Sequence, residues 1–367
     1  MTIDILTLFP EMFDQPLGTS IIGRAQACGV ITIRCHQIRD FTTNRQNQVD
    51  DYPYGGGAGC VMQAQPLYDA WKHAKMLNPN ARTIYLSPRG KTFTQTDALR
   101  FARYHPNLIF VCGHYEGVDQ RLIDAVVDEE ISLGDFVLTG GEIPAMAVVD
   151  AVCRLVPGVL ADEIAFTEES HFSGLLEYPH YSRPAVWEGR AIPDVLLSGH
   201  HAEIEKWRRK QSFLITLQKR PDLFARLLFS RRDLKLLGEL REETDDPAVK
   251  DALSNLHTER ITPRKLEGQD RFNLYADGLG LCGHVDVCTD GETMNLTLNM
   301  LLFAQGKGID VYAIAHLLDT IFAEDGVMTV SLAGDVTDDL VLRIGLRQTN
   351  MGGYEIHRAA WQTRMRL

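Results

Sequence analysis

Over the first 160 residues, short apolar runs alternate with stretches whose apolar residues recur at helical spacing. Residues 3–8, 31–35, 83–87, 108–112 and 136–139 are rich in β-branched and aromatic side chains and are bounded by Gly, Pro, Asn or Asp, which predicts strands. Residues 67–74 and 143–155 carry apolar side chains three and four apart, which predicts helices. Strands that alternate with helices assemble into a mostly parallel sheet covered by helices. Such sheets bind ligands beyond the carboxyl ends of their strands. Several glycine-rich turns fall just after predicted strands, where that rule directs attention.

The pattern then changes. Residues 161–171 are polar and acidic and read as a flexible linker. From about 200 to 243 the chain turns helical and basic. Asp245-Asp246-Pro247 and Thr262-Pro263-Arg264 mark further breaks. The last hundred residues predict strands at 271–276, 284–288, 295–303, 328–332, 340–346 and 354–359, with one amphipathic helix at 310–322. The expected division is 1–160, a linker 161–172, a helical domain 173–245, a second linker 246–268, and an α+β domain 269–367.

Composition narrows the class. With 45% hydrophobic and 23% charged residues the chain can fill several cores, which excludes a disordered protein. No apolar run reaches membrane-spanning length, and the opening Met1-Thr2-Ile3-Asp4 is not expected to be a secretory signal. The seven cysteines are scattered, without a Cys-x-x-Cys, and read as reduced cytoplasmic thiols, with no zinc site expected. The net charge of −12 is awkward for a nucleic-acid binder, but phosphate contact needs only a local basic surface. Lys206-Trp207-Arg208-Arg209-Lys210 is one such surface, unless it is an ordinary solvated helical face. Over 269–367 acidic residues outnumber basic ones by about two to one, which argues against phosphate binding there.

Four glycine-containing segments carry the candidate chemistry. Residues 49–62 hold four glycines in five positions, Gly55 to Gly59, and could be a flexible turn or a close approach to a ligand. Residues 108–119 end an apolar run in Gly113 and present Tyr115 and Glu116. In 131–144, Gly140-Gly141 precede Glu142 at a helix start, with Pro144 in the first turn. Residues 83–90 run Thr-Ile-Tyr-Leu-Ser-Pro-Arg-Gly. None is a dinucleotide fingerprint or a P-loop.

These segments, with Leu8-Phe9-Pro10-Glu11-Met12-Phe13, Pro179-His180-Tyr181-Ser182-Arg183-Pro184 and 196–209, resemble the bacterial tRNA (guanine-N1)-methyltransferase family of the SPOUT superfamily in order and spacing over about residues 1–243. The resemblance implies a parallel sheet tied in a trefoil knot, then a small helical RNA-binding domain. Residues 269–367 lie outside it and form an α+β appendage of unrecognised role. It further implies a cytoplasmic homodimer acting on tRNA, with no membrane partner. S-adenosylmethionine is the methyl donor, Mg2+ a possible requirement, and N1 of the guanine next to the anticodon, position 37, the acceptor.

Residue by residue, the resemblance assigns Gly113, Leu133, Gly134, Asp135, Phe136, Val137 and Leu138 to the cofactor through backbone and apolar contact. Tyr85, Leu86, Ser87, Pro88, Tyr115, Gly117, Gly140, Gly141 and Pro144 complete that pocket. Glu116 and Gly59 fall beside the target base, and Lys206, Arg208 and Arg209 toward RNA phosphates. Guanine N1 carries a proton at neutral pH and needs a base to remove it. The charge that then spreads to O6 calls for a cation. The family supplies an acid in the linker and an arginine after the knot, which here are Glu169 and Arg154. The family commonly has Asp where Glu169 stands, and Glu168 is a rival. Without the resemblance, Glu169 reads as a solvated carboxylate and Arg154 as half of a structural ion pair. A SPOUT methyltransferase of ribosomal RNA and a non-catalytic RNA-binding relative are the alternatives.

Overall fold

Five strands of the amino-terminal part form one parallel sheet in the order β2-β1-β6-β5-β7. They are β1 (Thr2–Thr7), β2 (Thr32–Gln37), β5 (Arg82–Thr92), β6 (Asn107–Cys112) and β7 (Glu129–Ser132), with a short antiparallel pair, β3 (Asp50–Asp51) and β4 (Val61–Met62), set apart. The computed structural model describes residues 1–160, 169–172, 174–225, 227, 229, 231–254, 261–265, 270–276, 280–290, 292–300, 309–323, 327–336, 340–341, 344–349 and 353–361. The chain divides at Thr167/Glu168 into two units.

Alternation along the strands explains the first unit's layers. Ile3, Ile5, Ile84, Leu86, Leu108, Phe110 and Ile131 point to one face. There they meet helices α2 (Ser20–Ala27), α4 (Gln95–Tyr104) and α6 (Glu142–Cys153), which contribute Ala25, Phe101, Val148 and Val152. Leu6, Tyr85, Ile109 and Val111 point to the other face, toward α3 (Ala64–Leu77) and α5 (Gln120–Val126). Both faces are covered, as parallel sheets require.

One predicted strand is corrected. Residues 136–139 are a loop with Phe136 and Val137 exposed, and the fifth strand is Glu129–Ser132 instead. Its two glutamates disguise it. Glu129 is satisfied by Arg82 at 3.3 Å and Arg100 at 2.6 Å, so an acidic residue can stand at the edge of the sheet.

Asp4 is fully buried in β1, where Arg34 donates two hydrogen bonds of 2.8 Å and the His36 ring and Asn78 lie at 2.7 and 3.1 Å. Burial alone would raise its carboxyl, but the hydrogen bonds from His36, Arg34 and Asn78 outweigh that and hold it below the usual aspartate range. A carboxyl depressed by folding stabilises the fold above its unfolded value, near 3.8, and that stabilisation is lost as pH falls through the lower folded value. Asp4→Asn should therefore cost about 3 kcal/mol near neutral pH, because the buried carboxylate that Arg34, His36 and Asn78 converge on is lost. The gap between the urea midpoints of variant and wild type should close below about pH 4. An equal midpoint at pH 7 would show that the cluster contributes nothing.

The second unit holds a helical bundle and a second sheet. Helices His201–Lys219, Pro221–Phe224, Arg231–Glu243 and Pro247–Ser254 enclose Leu175, Phe213, Phe224, Leu236, Leu240 and Leu253. The sheet has seven strands, in the order Ile261–Lys265, Arg271–Ala276, Gly280–Asp290, Thr293–Met300, Thr329–Gly334, Tyr354–His357, Arg347–Gln348. Helix Ile309–Ala323 joins the parallel pair Thr293–Met300 and Thr329–Gly334, and packs on Leu296, Leu298, Val330 and Leu332. Helix Pro247–Ser254 and strand Ile261–Lys265 both lie within the stretch 246–268 read as linker. The strand expected at 340–346 does not form among the described residues of that range. Leu340, Val341 and Ile344 are helical and buried, a spacing that serves one helical face. No helix among the described residues is long and apolar enough to cross a membrane.

Candidate functional site

Three loops gather at the carboxyl ends of the adjacent strands β6, β5 and β7. The first is a bulge within β5, where the register on β7 slips between Leu86 and Lys91 and lets Ser87, Pro88 and Arg89 leave the ladder. Gly90 closes this bulge. A β-carbon there would lie 2.4 Å from the backbone of Glu130.

The second loop, 113–117, follows β6. Gly141 donates to the Gly113 carbonyl at 2.8 Å, Glu116 to Cys60 at 3.0 Å, and Met62 to the Gly117 carbonyl at 2.9 Å. Tyr115 is held at φ 58°, a left-handed conformation that a tyrosine adopts only when its surroundings insist. The loop is thus pinned from both sides, with Glu116 at its tip. Glu116 lies directly over Gly59, whose φ is +82° and whose missing β-carbon leaves room for the Glu116 side chain. The neighbour here is a side chain of the same chain, and a β-carbon on Gly55 or Gly56 would meet nothing within 4 Å.

The third loop, 133–141, leads into α6. A β-carbon on Gly141 would stand 2.7 Å from the Cys112 backbone, so the loops after β6 and β7 touch through glycine alone. A β-carbon on Gly113 would lie 2.9 Å from the Tyr85 hydroxyl. Tyr85 is buried, and burial raises its phenol above the usual range, so it stays a neutral donor. Leu133 is half-buried, whereas Phe136, Val137 and Leu138 are exposed on the surface of this chain. Tyr85–Pro88, Gly113–Gly117 and Leu133–Pro144 are therefore brought together, with Gly59 and Glu116 at one side.

A cavity of about 200 Å³ opens beside Gly140, lined by Phe9, Met12, His114, Thr139, Glu142 and Ile143. Sequence reasoning gave none of these six a role in the site. Cys112 is no nucleophile, since complete burial and then the neighbouring Glu142 push its thiol far up. Among the described residues no group of three or more His, Cys, Asp or Glu side chains could hold a metal ion. All seven cysteines are free thiols.

The remaining expected residues lie elsewhere. Arg154 caps the carboxyl end of α6, where the helix carbonyls favour a cation. Glu169 belongs to the second unit and opens a turn in which His171 donates to Leu175 at 2.7 Å and Leu175 enters the bundle core. Glu168 lies outside the described residues. Lys206, Arg208 and Arg209 sit on helix His201–Lys219. There Arg209 meets Asp233 at 2.9 Å, Lys206 meets Glu239 at 3.5 Å, and Lys210 meets Glu239 at 2.9 Å. Arg208 lies over the Tyr178 ring at 4.8 Å. Any RNA phosphate contact by Lys206 or Arg209 would compete with these pairs.

The family described as tRNA (Guanine-1)-methyltransferase TrmD matches residues 1–226. A tRNA (guanine-N(1)-)-methyltransferase of Alkaliphilus metalliredigens is 53% identical over 67% of this chain and all of its own length. Those of Clostridium novyi and Chloroflexus aggregans are 56% and 55% identical, each over 65% of this chain and 97% and 95% of their own. The carboxyl-terminal part is unmatched.

Proposed function

The chain belongs to the tRNA (guanine-1)-methyltransferase family and is an enzyme of that activity, and from this premise we propose how its residues divide the work. The acceptor is N1 of guanine 37 in tRNA and the methyl donor is S-adenosylmethionine. The observation that carries this reading is the glycine cradle, in which the loops after β6 and β7 meet at Gly113, Gly140 and Gly141 against the Tyr85 side chain of β5, with no β-carbon between them. Such a cradle suits a flat base read by backbone amides and carbonyls.

When bound, the cofactor supplies an electrophilic methyl on a sulfonium. Gly113 and 133–138 hold it through backbone and apolar contact, and Tyr85, Leu86, Ser87, Pro88, Tyr115, Gly117, Gly140, Gly141 and Pro144 shape the rest. Glu116, steadied by Gly59, orients the guanine edge. Glu169 accepts the N1 proton, so that the N1 electron pair is free to form the new bond to carbon. Arg154 faces the negative charge that develops on O6. Lys206, Arg208 and Arg209 contact phosphates, with Arg208 the strongest candidate because its guanidinium lies over the Tyr178 ring and pairs with no carboxylate among the described residues. Exposed Met12, Phe136, Val137 and Ile143 support a homodimer that covers this apolar surface. The free thiols fit a cytoplasmic location. Mg2+ finds no group of three His, Cys, Asp or Glu side chains among the described residues.

Radiolabelled methyl transfer should modify unmodified tRNA and not ribosomal RNA. Gly113→Val should abolish S-adenosylmethionine binding measured by calorimetry, because the added side chain meets Tyr85 in a buried setting. The dimer should persist by light scattering. Unchanged affinity would rule out this pocket.

A further inference from the structure

The least expected feature of the site is a buried acid that the chemistry above does not use. Glu142 is 2% exposed at the start of α6. Its Oε1 accepts a hydrogen bond of 2.8 Å from Thr7, at the carboxyl end of β1 and 135 residues away in sequence. Thr7 in turn accepts from the backbone of Phe9 at 3.0 Å. The Glu142 Oε2 faces His114 Nδ1 at 3.9 Å, and that nitrogen is buried with no hydrogen-bond partner among the described residues. The two groups meet over Gly140. A β-carbon there would lie 2.4 Å from Oε2 and 2.6 Å from Nδ1. Phe9 and Tyr115 flank the imidazole, each with its ring 5.2 Å away.

This arrangement ties four segments to one point: β1 through Thr7, α6 through Glu142, the loop after β6 through His114, and the loop after β7 through Gly140. A helix-start carboxylate could be there only for the helix dipole. That does not explain why it is buried, held by a remote hydroxyl and aimed at an imidazole. The imidazole precedes Tyr115, whose left-handed backbone needs outside support, and Glu116 follows at once.

We propose that Thr7 and Glu142 are positioning residues that set the pose of His114 and, through it, of the Tyr115–Glu116 tip against the target guanine. The proposal rests on the functional reading above. A small displacement of a group that orients the reacting base costs turnover far more than binding.

The test compares Thr7→Val, which keeps shape and removes the hydroxyl, with Thr7→Ser, which keeps the hydroxyl, and with Glu142→Gln, which keeps size and removes the charge. Thr7→Val and Glu142→Gln should lower kcat by about 10- to 100-fold while KM for tRNA and calorimetric affinity for S-adenosylmethionine change by less than about 3-fold. Thr7→Ser should restore kcat. In 15N-histidine-labelled protein without cofactor, the His114 resonance, assigned by its loss in His114→Gln, should shift in Thr7→Val and Glu142→Gln but not in Thr7→Ser. Unchanged kcat in both altered variants of an active enzyme overturns the proposal. So does a loss that Thr7→Ser fails to rescue, or an unmoved His114 resonance. If Thr7→Val does not fold, Glu142→Gln decides alone by kcat and the resonance. A wild-type chain that methylates no tRNA would instead defeat the functional reading, while the resonance still reports on the contact.

Discussion

Glu169→Gln should lower single-turnover methyl transfer by about 100- to 10,000-fold while tRNA and S-adenosylmethionine still bind. Glutamine keeps the size and hydrogen bonding of glutamate but cannot take the N1 proton. Glu169→Asp should stay active, because the carboxylate remains on a side chain one methylene shorter. Glu168→Gln should matter little. The turn that Glu169 opens is anchored by Leu175, so either substitution leaves the bundle core intact. Full turnover by Glu169→Gln at neutral pH would eliminate this residue and make Glu168 or a water the better base.

Arg154→Ala should reduce turnover by about 100-fold or more and cofactor affinity far less, since its charge matters only as O6 becomes anionic. Its place at the end of α6 means the truncation removes no core side chain. An unaltered single-turnover rate would sink the assignment. Glu169 and Arg154 belong to different units of the chain, which makes a mixed dimer informative. If each site draws the acid from one subunit and the arginine from the other, a Glu169→Gln/Arg154→Ala heterodimer has one site with both defects and one with neither. Activity then partly returns. If both come from one subunit, each site carries one defect and no activity returns.

Much of the first unit was legible because its central strands β1 and β6 are apolar on both faces and α3 and α4 are amphipathic. Where reading failed, electrostatics or exposure overrode the pattern. Residues 136–139 have strand composition but present Phe136 and Val137 to solvent, while the true edge strand hides behind Glu129 and Glu130. The glycine loops were legible as special backbone, and only the fold shows that Gly113, Gly141 and Gly59 make room for Tyr85, Cys112 and Glu116. The Thr7–Glu142–His114 cluster was not, because each member is commonplace in its own segment and only folding brings them together. The basic run 206–210 was visible as charge, but its partners on Arg231–Glu243 depend on how two helices cross.

The strand Ile261–Lys265 bears on where the unmatched carboxyl-terminal part can be cut away. It runs antiparallel to Arg271–Ala276, and its other edge has no neighbouring strand among the described residues. A polypeptide ended just after residue 265 would keep this segment and delete the strand it pairs with among the described residues. The orphaned backbone amides and carbonyls would then be free to recruit the same segment of other molecules, the usual route from an open edge to insoluble aggregates. Ending the polypeptide after Ser254 removes the whole sheet and leaves the helical bundle closed on Leu253. Loss of solubility after the first cut would thus reflect a stranded edge and carry no message about methylation.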